Sequence, residues 1–270
     1  MRYREILEGW GEDPYNDYDN RSDHQREWDD YKLKRKQKGY RDDADMPDHF
    51  IYEHYALKDL PHYEDMVHSG KFIFEDRHVI SLEGAPERVH EFDCRDNYLE
   101  SLEFAPKYVE ETFDCSDNDI ASFEGGPVEV GNFTSHKNPV TSLKGSPRIV
   151  HEMYAVSCDT PTRLQSYEGA PQQAKVVMIP LIGDGSFRVL KEGFPNIEML
   201  MLQTHNGQNF SHVLSLFQIA GLKRIAVQTE NPTYREGFEI VRKYLPMGKK
   251  GMMTCAAELV KLGLKDWAKQ

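Results

Sequence analysis

Between residues 72 and 160 the apolar and polar positions of this chain recur at a nearly constant interval. Val89-x-x-Phe92-x-Cys94-x-x-Asn97-x-Leu99 is followed by Glu110-x-x-Phe113-x-Cys115-x-x-Asn118-x-Ile120, then by Val130-x-x-Phe133-x-Ser135-x-x-Asn138-x-Val140. Val150-x-x-Met153-x-Ala155-x-x-Cys158-x-Thr160 is a looser copy, and Phe72 with Phe74 opens the series in degenerate form. The anchors Phe72, Phe92, Phe113, Phe133 and Met153 lie 20, 21, 20 and 20 residues apart. Within a copy, alternation puts Phe92 and Cys94 on one face of a short strand. A second refrain separates the copies: Ser81-Leu-Glu-Gly-Ala-Pro86, Ser101-Leu-Glu-Phe-Ala-Pro106, Ser122-Phe-Glu-Gly-Gly-Pro127, Ser142-Leu-Lys-Gly-Ser-Pro147 and Ser166-Tyr-Glu-Gly-Ala-Pro171. In it the Leu position points inward, Gly bends the chain and Pro blocks helix continuation.

A unit of about twenty residues cannot bury a core alone, so units must stack; the period matches the short end of the leucine-rich-repeat template. The expectation is an α/β fold, a leucine-rich-repeat-like solenoid of short parallel strands with an irregular convex side and helical caps at both ends. Strands about 4.8 Å apart would set Phe92, Phe113 and Phe133 in one column and Cys94, Cys115 and Ser135 in the next. Asn97, Asn118 and Asn138 should be buried, bonding backbone groups that the bend frees and that cost about 1–3 kcal/mol each if left unpaired. The template returns as Val176-x-x-Ile179-x-Leu181-x-x-Asp184, Ile197-x-x-Leu200-x-Leu202 and Leu222-x-x-Ile225-x-Val227, giving about eight rungs. Apolar positions at Val213, Leu214, Leu216, Phe217 and Ile219 predict a convex-side helix over 210–220.

The flanks differ from the repeats. Residues 1–46 form a charged arm, with a short helix expected over 3–10 and a second between Ser22 and Gly39 whose acidic residues come first and basic residues last. Trp10, Trp28 and Tyr31 stand out in that polar arm. Residues 47–70 read as a helical N-cap, with Ile51, Tyr55, Leu57 and Leu60 apolar and Pro61 marking a break. The repeats then occupy 71–232 and a C-terminal helical cap 233–270, its two helices over 234–245 and 252–270 and its far end closed by Leu259, Leu262 and Trp267.

Composition narrows the functional classes. Charged residues make up 29% and the formal net charge is −12, which argues against wrapping nucleic acid because phosphates are repelled. No run of eighteen apolar residues occurs, which excludes a membrane-spanning helix, and the first residues lack the apolar core of a secretion signal. Four cysteines do not make a disulfide scaffold at this length; Cys94 and Cys115 read as small buried hydrophobes in a reducing compartment. His90-Glu91 and His151-Glu152 begin like a zinc motif, but the fourth following position is Cys94 or Ala155 and both pairs flank strands. Gly183-Asp-Gly185 lacks the third glycine and the helix of a dinucleotide fingerprint. The acidic residues of 13–20 lack calcium-loop spacing. No catalytic constellation, cofactor site or metal site is expected.

The alternation of S-L-E-G-A-P with F-x-C-x-x-N resembles the short leucine-rich repeats of tailed bacteriophages, over about residues 70–160. The ending Arg242-Lys-Tyr-Leu-Pro246 and Cys255 to Ala268 is similar to a helical tail of such phage proteins. Phe104 in place of the usual Gly is a departure. The resemblance implies a solenoid and protein binding, and supplies no catalytic residues. Together these readings predict a non-enzymatic protein-binding scaffold acting in host cytoplasm or virion. Its candidate contacts are the outward strand positions Asp93, Asp114, Thr134 and Tyr154, their neighbours Arg95, Ser116 and His136, and the arm aromatics Trp10, Trp28 and Tyr31. A virion component with the arm locked against neighbouring subunits, and an inhibitor of a host enzyme or defence factor, are the alternatives.

Overall fold

The computed structural model describes residues 55–157, 164–182, 187–204, 210–227 and 229–269. The arm, with Trp10, Trp28 and Tyr31, the first part of the N-cap, Cys158 and Asp184 lie outside the described residues. The described part is α/β: a mostly parallel sheet of many short strands, with few helices and no closed barrel.

Eight strands form the sheet's path, each hydrogen-bonded to the one before it in the chain, apart from two short flanking strands. They are β2 (Lys71–Ile73), β5 (Glu91–Asp93), β6 (Tyr108–Asp114), β7 (Glu129–Ser135), β9 (Met153–Val156), β10 (Val176–Pro180), β11 (Met199–Gln203) and β12 (Arg224–Val227). β4 (Arg88–Val89) adds to β6 and β8 (Ile149–Val150) to β7. A separate pair joins β1 (Tyr55–Ala56) to β3 (Val79–Ser81).

The register sets one inward column of Phe72, Phe92, Phe113, Phe133, Tyr154, Val177, Leu200 and Ile225. Its first five members stack ring on ring with centroids 5.3–5.8 Å apart. Such pairs add about 0.5–1.5 kcal/mol beyond area burial. Two expected anchors are corrected here. Tyr154, not Met153, pairs with Phe133, because four residues separate Val150 from Tyr154 where three separate Val130 from Phe133. Val177, not Ile179, continues the column, and Ile179 falls in the next one beside Leu202.

A related insertion explains the 21-residue step from Phe92 to Phe113. Val109, rather than Glu110, pairs with Val89 and Val130, and the pairing slips between Val109 and Thr112. Gly131 sits opposite that bulge, where any Cβ would stand 2.3 Å from the Glu111 carbonyl oxygen. The extra residue therefore needs a glycine across from it.

The asparagines behave as expected. Asn97 accepts from Val79 and Arg77 amides through Oδ1 and donates through Nδ2 to the carbonyls of Phe74, Cys94 and Arg95. Asn118 accepts from Leu99 and donates to Cys94, Cys115 and Ser116 carbonyls. Asn138 accepts from Ile120 and donates to the Cys115 carbonyl and Ser135 Oγ. All three are buried. Each ties its own bend to the preceding rung.

The S-L-E-G-A-P refrain is a tight turn, closed by amides of Ala85, Ala105, Gly126, Ser146 and Ala170 donating to the carbonyl three residues back. Gly84, Gly125, Gly145 and Gly169 take positive φ at its third position, the signature of a type II turn. Leu82, Leu102, Phe123, Leu143 and Tyr167 point inward from its first position.

Both ends are closed. Helix α1 (Tyr63–Ser69) follows Pro61 and sets the Tyr63 ring against Phe72. The expected N-cap is thus less helical than its sequence suggested: Tyr55–Ala56 is a strand, and Leu57–Asp59 a single 3₁₀ turn. The short α2 (Leu190–Gly193) lies on the return side, and Val213–Gln218, expected as a helix, is a 3₁₀ segment. At the far end come α3 (Pro232–Tyr244) and α4 (Lys249–Lys261). Asn231 caps α3 by accepting from Thr233 and Tyr234, with Pro232 in the first turn. Phe187, Phe210, Phe238 and Trp267 form an aromatic plug, with Phe238 and Trp267 4.6 Å apart. Arg242 Nε donates to the Ile225 carbonyl and so occupies part of the edge of β12.

Candidate functional site

The face opposite the inward column is the candidate surface. Strand alternation makes Ile73, Asp93, Asp114, Thr134, Ala155, Met178, Met201 and Ala226 one outward row, aligned by register. A parallel row holds Lys71 beside Glu91, Thr112 beside Asn132, and Met153 in register with Val176, Met199 and Arg224. The two rows change character midway. Apart from Ile73, the first rungs are charged or polar; from Met153 onward they are almost wholly apolar. There Ala155, Val176, Met199 and Met201 are buried, while Met153, Met178 and Ala226 are half-buried.

In the charged half one cation organises several anions. Arg95 Nε donates to both Asp93 oxygens at 2.9 and 3.0 Å, and its Nη2 lies 3.1 Å from Glu75. Asp114 Oδ2 stands 3.9 Å from Arg95, while Oδ1 accepts from the Ser116 amide at 2.9 Å. Burial raises the Asp114 carboxyl to about 6, with Asp93 adding to the rise and Arg95 and the Ser116 hydrogen bonds opposing it. Asp93 holds Arg95 above the usual guanidinium range. One rung on, the His136 amide donates to Ser116 Oγ and its Nδ1 lies 2.6 Å from Ser157 Oγ. Burial, helped by Lys137, lowers His136 to about 4. At neutral pH the imidazole is therefore uncharged.

Asp93, Arg95, Asp114, Thr134 and His136 are thus brought together as a partly exposed band. Two expected contacts are corrected. Tyr154 is buried in the ring stack, its hydroxyl 2.8 Å from Ser146 Oγ, because the one-residue insertion before it turns the strand over. Ser116 is buried as well, since its hydroxyl accepts the amide of the following rung. The outward place of Met153 is obscured by the same insertion that turns Tyr154 inward. Ile179 and Leu200 are inward, as their spacing predicts, and alternation leaves Met178, Met199 and Met201 on the opposite face; only Met153 is misplaced by the insertion. An aromatic one position after Met153 was the available signal.

Nucleophile chemistry finds little support in this band. Burial pushes the Cys94 and Cys115 thiols up, and each donates to a carbonyl, of Asp114 and Thr134 respectively. Protonated thiols are poor nucleophiles and poor metal ligands. Among the described residues there is no group of three or more His, Cys, Asp or Glu that could hold a metal ion. Nor is any helix among them long and apolar enough to cross a membrane. Comparison with protein-family models, characterised proteins and solved structures gives no match to this chain.

Proposed function

We propose that the chain is a leucine-rich-repeat-like solenoid whose outward sheet face binds a protein, without catalysis. The row running from Asp93 and Asp114 to the half-buried Met178 supports this reading. A charged band continuous with the half-buried Met153 and Met178 offers both halves of a protein interface, an orienting polar part and an adaptable apolar part. The Arg95 network fixes the polar part's geometry before any partner arrives, which lowers the ordering cost of binding. The resemblance of the repeats to those of tailed phages points to a phage or host protein as partner.

The test uses the full chain and a double variant, Asp93→Lys with Met178→Glu, in affinity capture from phage-infected and uninfected bacterial lysates. The reading expects a stoichiometric partner that the double variant loses while keeping the wild-type circular dichroism spectrum. A partner retained by the double variant removes the sheet face from the account.

A further inference from the structure

The turn refrain contains one residue that its backbone does not suit. Phe104 sits at the third turn position with φ 67°, where Gly84, Gly125, Gly145 and Gly169 take φ 84–103°. A left-handed conformation at that position favours glycine, and a bulky residue there is an outlier. The ring gains no core in exchange. It is 52% exposed, the most exposed phenylalanine among the described residues, and has no aromatic partner among them. The corresponding turn positions on either side are Gly84 and Gly125, so no side chain flanks it in its own row. Strain retained at an exposed aromatic runs from observation toward function.

The row beside it, one residue earlier in each turn, supplies the charge. Glu83 pairs with Lys58 at 2.6 Å and Glu124 with Lys144 at 2.7 Å. Glu103, between them in the series, has no ion pair among the described residues. Lys107, the nearby cation, donates to the Gly125 and Gly126 carbonyls. An exposed ring thus stands next to one unmatched carboxylate, at the turn edge rather than on the sheet face.

We infer that Phe104 and Glu103 form a second interaction surface, which takes a protein segment combining apolar side chains with lysine or arginine. Aromatic residues are preferred interface anchors, and a cation beside the ring can reach both the carboxylate and the ring face. A second copy of this chain is a poor occupant, since it would set Glu103 against Glu103. The inference is independent of the sheet-face reading, because Phe104 and Asp93 belong to different edges of the rung.

The probe is a synthetic helical peptide of leucine and lysine, each at i, i+3, i+4 spacing on its own face, labelled for fluorescence anisotropy at 150 mM salt. Controls replace its leucines by glutamine, or its lysines by glutamate. Phe104→Gly is expected to weaken binding at least tenfold while leaving the unfolding midpoint unchanged or raised, because the turn prefers glycine. Phe104→Asn, which also tolerates left-handed backbone, should reproduce the loss if the glycine variant proves unstable. Glu103→Lys should weaken binding too, and the Asp93→Lys, Met178→Glu variant should bind as wild type. Absence of binding by the wild-type chain overturns the inference, as does wild-type-level binding by the Phe104 variants, equal binding of the glutamine peptide, or a dimer that Phe104→Gly dissolves.

Discussion

The first five rungs and the last three solve the same packing problem differently. From Phe72 to Tyr154 each rung carries a stacked ring, and from Phe74 to Asn138 a buried asparagine binds each bend to its neighbour. From Val177 on, the column is aliphatic, and Ile182 follows β10 where the earlier rungs place asparagine. There Tyr167 reaches across instead: its hydroxyl donates to the Pro180 carbonyl at 2.9 Å and accepts from the Ile182 amide at 3.2 Å. Beyond it, the aromatic plug of Phe187, Phe210, Phe238 and Trp267 closes the end. A periodic half is stabilised by repetition, each rung supplying the next rung's backbone partners. The irregular half is stabilised by one-off tertiary contacts. The same division appears on the opposite face of the sheet, where charge gives way to apolar residues, several of them buried.

Truncating a ring in each half should show the largest effect and separates the two strategies. Phe113→Ala removes a side chain stacked on both sides, and Trp267→Ala removes the centre of the plug; each should cost about 3–5 kcal/mol. Chemical denaturation with fluorescence and far-ultraviolet dichroism distinguishes them. Phe113→Ala should keep a single transition with a lower midpoint, because neighbouring rungs unfold together. Trp267→Ala should release the C-terminal helices first and split the two signals. Coincident transitions in both variants would break the proposed division.

Polar substitutions come next. Asn118→Ala orphans the Leu99 amide and removes one donor from each of the Cys94, Cys115 and Ser116 carbonyls, which keep Asn97, Asn138 and the Asp96 amide. Tyr167→Phe takes the hydroxyl from the Ile182 amide and the Pro180 carbonyl. Four hydrogen bonds are lost against two, at about 0.5–1.5 kcal/mol each, so Asn118→Ala should lower the midpoint more than Tyr167→Phe. Calorimetry on the pair checks the order. A reversal would mean that the asparagine ladder follows the fold without stabilising it.

The periodic half was legible in the sequence for a physical reason. Its side chains repeat because its backbone contacts repeat, so Phe92, Asn97 and Leu102 could be assigned from spacing alone. Reading failed where one residue was added. The bulge at Glu110 and the insertion before Tyr154 leave the average period near twenty while inverting local alternation. The insertion puts Tyr154 inside and leaves Met153 half-buried on the opposite face, against the spacing. The Tyr167 contact was illegible for a different cause, since a hydroxyl that serves the turn 13–15 residues ahead leaves no periodic trace. Of the candidate surface, the band of Asp93, Arg95, Asp114, Thr134 and His136 was visible in advance, and its apolar continuation was not.

Acidity probes the charged half more finely. Asp114, raised from 3.8 to about 6, favours the folded state when protonated, so its contribution is present below pH 4 and lost as pH rises through about 6. His136, lowered from 6.5 to about 4, acts in the opposite sense: its contribution is present above pH 6.5 and lost as pH falls through about 4. The two slopes oppose each other over the same window, so wild-type stability should vary little between pH 4 and 6.5. Asp114→Asn keeps the acceptor for the Ser116 amide and removes the cost of a buried carboxylate. It should raise stability by about 2 kcal/mol at pH 7, fading to nothing below pH 4. His136→Gln should expose the remaining slope, with stability rising as pH falls from 6. Parallel pH profiles for wild type and Asp114→Asn would show that the carboxyl is not held at the raised value.

The smallest effect belongs to the ion pairs that link turns across rungs. Lys144 and Glu124 meet at 2.7 Å, but both side chains are more than half exposed, and the Lys144 ammonium is raised only by that hydrogen bond and the charge of Glu124 and Glu168. Water and salt screen such a pair, and two long side chains lose freedom in making it. Lys144→Ala should therefore move the unfolding midpoint by less than about 1 °C, and by less again in 1 M salt. A shift comparable to that of Asn118→Ala, persisting in salt, would transfer the stabilising role from the buried ladder to the surface one. It would also make Glu103, the one glutamate between the two paired turns, a structural defect instead of an exposed charge available to a partner.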